Sequence, residues 1–258
     1  MKRRDVFRTA AIGVGVAGLA ACADNATHRA AVAPRPNSSS TTPPASSGAP
    51  TPTSPTPVLP AEVAHGPRNR QAVALTFHGQ GAPDVVDRLL STIEQEKVHV
   101  TVLAVGTWLV AEPAMAQRVL GGGHELGNHT QHHLDIVAMN PTQAFAEIDE
   151  CAATLKRLTG TVGRWFRPSQ TQHSTATIQT EARRAGYPTC LSYDVDSLDY
   201  TDPPAAKVVA ATLGRVQPGS IVSMHFGHPV TIEAIGPIIA ALRQRGLRPV
   251  TMSELVAA

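Results

Sequence analysis

The chain has 258 residues, 42% of them hydrophobic and 4% aromatic, with a formal net charge of +2. That length holds one domain of ordinary size with extensions, and the apolar share suffices for a core. Seven Lys/Arg stand against three Asp/Glu up to Arg68, and fifteen against seventeen beyond it. The positive balance therefore belongs to the N-terminal part, and no basic run points to a nucleic acid partner.

The chain opens with Lys2, Arg3 and Arg4, followed by an apolar run from Ala10 to Ala21. A bilayer span needs about 20 apolar residues, so this run is too short to cross. Leu19-Ala20-Ala21-Cys22 resembles a bacterial lipobox, which implies cleavage before Cys22 and a lipid on its sulfur. "RRDVFR" loosely resembles a twin-arginine export signal. The expectation is a lipoprotein-type export signal over 1–21 and an extracytoplasmic, membrane-anchored protein. Pro, Ser, Thr and Ala dominate the next stretch, with "NSSSTTPPASSGAPTPTSPTP" at its centre. Such a chain buries too little apolar surface to offset its ordering entropy. Residues 22–68 are expected to be a disordered tether.

From Gln71 the pattern becomes regular. Strands are expected at "QAVALTF", "HVTVLAV", "HELGNH", "RWFRP", "PTCLSYDVD", "GSIVSMH" and "RPVTM". Helices are expected at "PDVVDRLLSTIEQEKV", "PTQAFAEIDECAATLKRLTG", "TATIQTEARRAGY" and "TIEAIGPIIAALRQRGL", where apolar residues recur at helical spacing. Alternating strands and helices imply an α/β fold with a mainly parallel sheet. Seven strands suit a distorted (β/α) barrel better than an open doubly wound sheet. Cys151 and Cys190 either pair or remain two buried thiols.

Both architectures place chemistry at the carboxyl ends of strands. Those ends carry His78, the "HTQHH" cluster, Arg167, Asp196 and His225. His129 and His133 stand four apart, so a helical turn there would put both imidazoles on one face, able to share a metal ion. Asn128 and Thr130 offer hydrogen bonds that would orient them. His132 is expected to point elsewhere, Trp108 to lie in the core and His228 at the surface.

"GHELGNHTQHHLDI" resembles the second motif of the polysaccharide deacetylase (NodB-homology) family, carbohydrate esterase family 4. "FRPSQ", "VDSLDY" and "GSIVSMHFGHP" resemble later motifs of that family, in order. The resemblance runs from Gln71 to Val256. It implies a distorted (β/α) barrel that removes acetyl groups from a polysaccharide such as peptidoglycan or a chitin-like chain. It also implies a divalent metal, usually zinc, that polarises the acyl carbonyl and activates water.

Carried over residue by residue, the resemblance makes His129 and His133 metal ligands. His225 becomes the general acid, with Asp199 orienting it. Arg167 matches the arginine that holds the base. Tyr200 replaces a groove tryptophan. Ser223 stands where a leucine lines the acetyl pocket. Gln170 or His173 replaces a groove tyrosine. The first motif departs: the family has TFDDG, and here "TFHGQG" puts His78 and Gly79 in place of the base aspartate and the ligand aspartate. His78 then either completes a three-histidine metal site, replaces the base, or fills a site without chemistry. Should Arg167 not serve the base, Asp196 or Asp199 is its expected partner. Two functions follow: an exported metallohydrolase of C–N amide bonds on acylated carbohydrate, or a catalytically impaired relative that binds glycan.

Overall fold

The computed structural model describes residues 59–257. The expected export signal, the expected lipidation site Cys22 and the expected tether up to residue 58 lie outside the described residues. The folded body begins before the expected boundary at 69. A short strand, β1 (Glu62–Val63), already pairs with the chain near Cys190, and Val63 is buried. Two residues carry no periodicity, which is why the sequence pattern does not reveal them.

The remaining elements follow in order. They are β2 (Ala72–Gly79), α1 (Pro83–Gln95), β3 (Thr101–Ala104), α2 (Gly106–Ala111), α3 (Ala114–Gly121) and β4 (Glu125–Asn128). Then come α4 (Pro141–Thr159), α5 (Ala176–Arg184), β5 (Cys190–Leu191), β6 (Val195–Asp196) and α6 (Ala205–Arg215). The chain closes with β7 (Ile221–His225), α7 (Pro229–Gln244), β8 (Arg248–Val250) and α8 (Met252–Val256). All pairings between these strands are parallel.

β2 is the central strand. One edge pairs with β7 from Ala74 to His78. The other is shared by β8, beside Ala72–Ala74, and β3, beside Thr76–Gly79. The sheet runs β4-β3-β2-β7-β6. Phe166 bridges Asn128 to Cys190, linking β4 to β5. The chain from Cys190 to Asp196 then spans the gap: Leu191 donates to the Phe166 carbonyl and Asp194 to the Ile221 carbonyl. The result is a distorted barrel.

Strand alternation assigns the faces. Val73, Leu75 and Phe77 of β2 pack outward into a core shared with Leu89, Ile93, Ile235 and Ile239 of α1 and α7. Ala74, Thr76 and His78 form the inward row. On β7, Val222 and Met224 go outward while Ile221, Ser223 and His225 form the matching inward row. Register sets Ala74 beside Ile221, Thr76 beside Ser223 and His78 beside His225. Parallel pairing alone thus delivers two imidazoles side by side to one rim.

α4 begins with a capping box between Asn140 and Gln143 and ends at Gly160, whose φ of 82° only glycine adopts freely. Some expectations differ from the structure. "RWFRP" is not a strand; only Phe166 makes ladder contacts, and Pro168 lacks an N–H. α2, α3, α6 and α8 were not expected. α2, α3 and α8 have 6, 8 and 5 residues, too few to show a period, and α6 starts behind Pro203 and Pro204. Cys151 and Cys190 are free and buried, and burial pushes their thiols up to about 12 and about 11. No helix among the described residues is long and apolar enough to cross a membrane.

Candidate metal centre and active site

The inward rows end in a cluster of histidines. His78, His129 and His133 each offer a ring nitrogen, and these atoms lie within 4.8 Å of one another. It is the one group of three or more His, Cys, Asp or Glu so placed among the described residues. Ring centroids are 4.1 Å apart for His78 and His129, and 4.9 Å for His129 and His133. The convergence expected of His129 and His133 is present, but its cause is not a helix. The chain beyond β4 is a loop in which Thr130 and His133 have φ of 66° and 57°. Two left-handed residues turn His133 back towards His129. Asn128 Oδ1 accepts from the Thr130 N–H at 2.8 Å, and Thr130 Oγ1 accepts from His133 N–H at 3.2 Å. His132 points away, to Glu147.

His129 shows which nitrogen is free. Its Nδ1 stands 2.9 Å from the Arg167 carbonyl, which can only accept, so Nδ1 carries the proton. Nε2 is then a bare lone pair, fully buried and without a hydrogen-bond partner. A buried acceptor left alone is costly. A cation beside it, shared with His78 and His133, removes that cost. Burial first, then neighbouring positive groups, holds His78 and His129 well below the ordinary histidine range, and burial lowers His133 as well. All three are neutral at pH 7, as metal ligation requires. The donor set fits a divalent metal of the zinc type.

Gly79 cannot serve as a ligand position. A Cβ there would meet Val102 Cγ1 at 2.8 Å and the Ala104 Cα at 3.1 Å, because this residue faces β3 rather than the histidines. Its glycine answers close strand packing, not backbone freedom. Gly81 serves a second approach: a Cβ there would lie 2.6 Å from Gly227, where the turns after β2 and β7 touch. Trp108, buried as expected, donates Nε1 to the Gly81 carbonyl at 2.9 Å.

His225 stands at the end of β7, its ring centroid 4.4 Å from that of His78. Its Nδ1 lies 2.7 Å from Asp199 Oδ1, and its N–H donates to Asp199 Oδ2 at 2.8 Å. Thr231 Oγ1 donates to the same Oδ2 at 2.7 Å. Burial would raise the Asp199 carboxyl, but these bonds prevail and hold it below its ordinary value. Asp199 is therefore ionised, and it fixes the His225 ring through Nδ1, which leaves Nε2 as the nitrogen available for chemistry. Asp196 has the turn-forming role: its Oδ1 accepts from the Leu198 N–H.

Arg167 departs from expectation. It is fully buried and touches neither Asp196 nor Asp199. Its Nη2 donates to Thr76 Oγ1 at 2.9 Å and to the Ser192 carbonyl at 3.1 Å, and Nε to the Leu191 carbonyl at 3.3 Å. Nη1 has no partner. Burial lowers the guanidinium to about 9, so it stays charged at neutral pH.

Two adjoining clefts meet at this rim, of about 240 and 310 Å³. They share His78, His133, Tyr200 and His225. Gln170, Gln172, Tyr193 and Asp196 line the first; Gln80, Phe226 and His228 line the second. Tyr200 is 46% exposed with its ring centroid 5.0 Å from that of His225, free to stack on a sugar face. Gln170 donates to the His133 carbonyl at 2.8 Å. Ser223 is buried, 3.5 Å from His78 Nε2, and lines neither cleft. His173 turns away to Glu62. His228 is half-buried and paired with Asp202 at the edge of the second cleft. Sequence reasoning missed Thr231, Tyr193, Gln172 and Thr76. Only Thr76 had a signal, its place in the inward row with His78. Larger clefts, of about 490 Å³ beside Lys97 and Arg248 and about 590 Å³ along Leu59–Pro67, gather no comparable group.

The family model described as polysaccharide deacetylase matches residues 65–190. A peptidoglycan-N-acetylglucosamine deacetylase of Bacillus cereus is 31% identical over 200 residues, 74% of this chain and 90% of that protein. A chitooligosaccharide deacetylase of Bradyrhizobium is 27% identical over 199 residues, 68% of this chain and 86% of its own length. Among solved structures, a pseudoenzyme of carbohydrate esterase family 4 from Bacillus anthracis superposes with a TM-score of 0.72 at 22% identity, covering 77% of this chain and 69% of that one. A mutant of that protein is described as having restored enzymatic activity. The inward histidines at the barrel rim, the matched sequence and the shared fold agree: the chain belongs to the polysaccharide deacetylase family.

Proposed function

We propose that this protein is an exported metallohydrolase, anchored by a lipid on Cys22, that removes acetyl groups from amide nitrogens of a cell-wall or chitin-like polysaccharide. One observation carries the reading: three neutral imidazoles meet beside a histidine–carboxylate pair at the junction of two open clefts. Relatives named as peptidoglycan and chitooligosaccharide deacetylases support the substrate class. His78, His129 and His133 would hold the cation, and three nitrogen donors favour zinc. When bound, zinc polarises a carbonyl and eases deprotonation of water.

This chain's own groups supply the rest. Asp199 keeps the Nδ1 proton of His225 in place, so Nε2 is the atom that hands a proton to the leaving nitrogen. Tyr200 stacks on the sugar, and Gln170 steadies the His133 backbone while facing the cleft. His78 belongs with the ligands rather than with proton transfer, because it shares one focus with His129 and His133. Arg167 keeps the inner wall of the barrel fixed beneath them.

The second reading is a glycan-binding relative without turnover. It is favoured by one observation, that the place of the base aspartate is filled by His78. The test is metal content and acetate release by the mature chain. Stoichiometric zinc, acetate from N-acetylated chito-oligosaccharides or peptidoglycan fragments, and a loss of ~10²–10⁴-fold in His225→Ala support hydrolysis. Glycan binding with no acetate released overturns it and leaves the second reading.

A further inference from the structure

The loop that carries His129 and His133 is costly to hold. Thr130 is β-branched and His133 is bulky, yet both have positive φ. Each such residue costs on the order of 1–3 kcal/mol, and it persists only where surrounding contacts over-determine it. The loop left alone would relax, and His133 would swing away from His129.

Local bonds among Asn128, Thr130 and His133 and backbone bonds to Gly106 and Thr107 oppose this, and the middle of the loop is held from outside by one helical residue, Glu147 of α4. The Gln131 N–H donates to the Glu147 carbonyl at 2.9 Å. The His132 N–H donates to Glu147 Oε2 at 2.9 Å. His132 Nδ1 stands 2.7 Å from Oε1. Residues 131 and 132 lie between the two ligand histidines, so Glu147 grips both residues at the centre of the loop. Its side chain is only 10% exposed, and such shielding strengthens a charge-assisted hydrogen bond. The next residue adds a second hold: the Ile148 carbonyl accepts from Asn128 Nδ2 at 2.8 Å, ahead of the loop. α4 itself is capped at both ends, by its capping box and by a glycine stop.

We propose that Glu147 is a positioning residue of the metal centre, acting through the His132 backbone to keep His133 opposite His129. This rests on the metal-site reading above. It concerns a residue that touches neither the cation nor the clefts.

The experiment compares Glu147→Ala, Glu147→Gln and His132→Ala in the full chain by two measurements. The first is zinc affinity, by competition with a chromophoric chelator. Glu147→Ala should weaken zinc ~10–100-fold, the size seen when groups that orient a ligand are removed. Glu147→Gln should recover much of that, because an amide oxygen still accepts from the His132 N–H. His132→Ala keeps that N–H and should stay within about threefold of the parent. The second measurement is the nuclear Overhauser contact between the His129 and His133 rings in metal-free protein. It should be present in the parent and Glu147→Gln, and lost in folded Glu147→Ala. A ring contact that survives in Glu147→Ala overturns the positioning role, as does unchanged zinc affinity in that variant with a lowered melting temperature. A parent that binds no zinc overturns the metal reading instead, and the ring contact then still decides the role of Glu147.

Discussion

Arg167 is a buried cation that makes no salt bridge among the described residues. Three neutral acceptors serve its Nε and Nη2, and Nη1 is left without a partner. Burial lowers its affinity for the proton to about 9, although the nearby Tyr193 and Asp196 act the other way. His78 cannot compensate it; a second positive charge there would be repelled, and the ring is held neutral. Thr76, which accepts from Arg167, and His78 share the inward face of β2 two residues apart. Arg167 already acts on His78 through its charge, so a carboxylate in place of the imidazole is expected to pair with it. His78→Asp should raise the unfolding free energy of the metal-free protein at pH 7 by ~1–3 kcal/mol, because it partners a buried charge and removes an unsatisfied donor. Urea unfolding measures it. No gain would mean that the surrounding carbonyl dipoles already satisfy the guanidinium.

The strands show how narrow the packing around the site is. Gly79 lies where β2 and β3 approach too closely for a side chain: a methyl there overlaps Val102 and presses on the β3 backbone. Gly79→Ala should cost ~1–3 kcal/mol by overpacking, visible as a lower melting temperature. It should also weaken zinc, since the same shift moves His78, the preceding residue. This pair of neighbours shows what a sequence reveals and what it hides. The long helices α1, α4 and α7, and strands β2, β3 and β7, were legible because apolar period and flanking glycines coincide in them. The inward row ending at His225, and the meeting of His129 with His133 and of Asp199 with His225, were legible through spacing and motif. The loop from Thr130 to His133 was not, because its left-handed turns depend on contacts with Glu147 of α4, about fifteen residues on, as well as on bonds within the loop. The partners of Arg167 were hidden for the same reason: two of the three are backbone carbonyls, which no residue type announces. Gly79 reads as a lost ligand in the sequence and as a packing requirement in the structure.

The whole molecule buries several neutral histidines, and its stability must record them. His78, His124, His129 and His133 all bind protons more weakly folded than their ordinary value of 6.5, with burial the largest cause in each. His124 lies outside the metal centre. Its Nδ1 accepts from the Val100 N–H at 3.3 Å, and Nε2 faces Glu94 at 3.5 Å; the Glu94 charge offsets part of the burial effect without reversing it. A depressed folded value means that the unfolded chain takes up the proton first. Above pH 6.5 both states are neutral there and these groups add no slope. As pH falls below 6.5 the unfolded state gains protons that the folded state refuses, so unfolding becomes easier. Each fully buried histidine adds up to about 1.4 kcal/mol per pH unit, and half-buried His133 adds less. Asp199 acts in a separate window: its carboxyl is depressed below 3.8, so its contribution is lost only as pH falls below that value. Between pH 6.5 and 5 the histidines therefore dominate. Metal-free protein should unfold at steadily lower urea over that range. Saturating zinc should raise the urea midpoint across that range and carry the same slope to lower pH, because bound metal keeps the three rings unprotonated in the folded state while the unfolded chain still takes up their protons. His124→Phe should remove one histidine's share with or without zinc. A urea midpoint that zinc leaves untouched at every pH would show that the three rings do not act as one site, whatever His124 does.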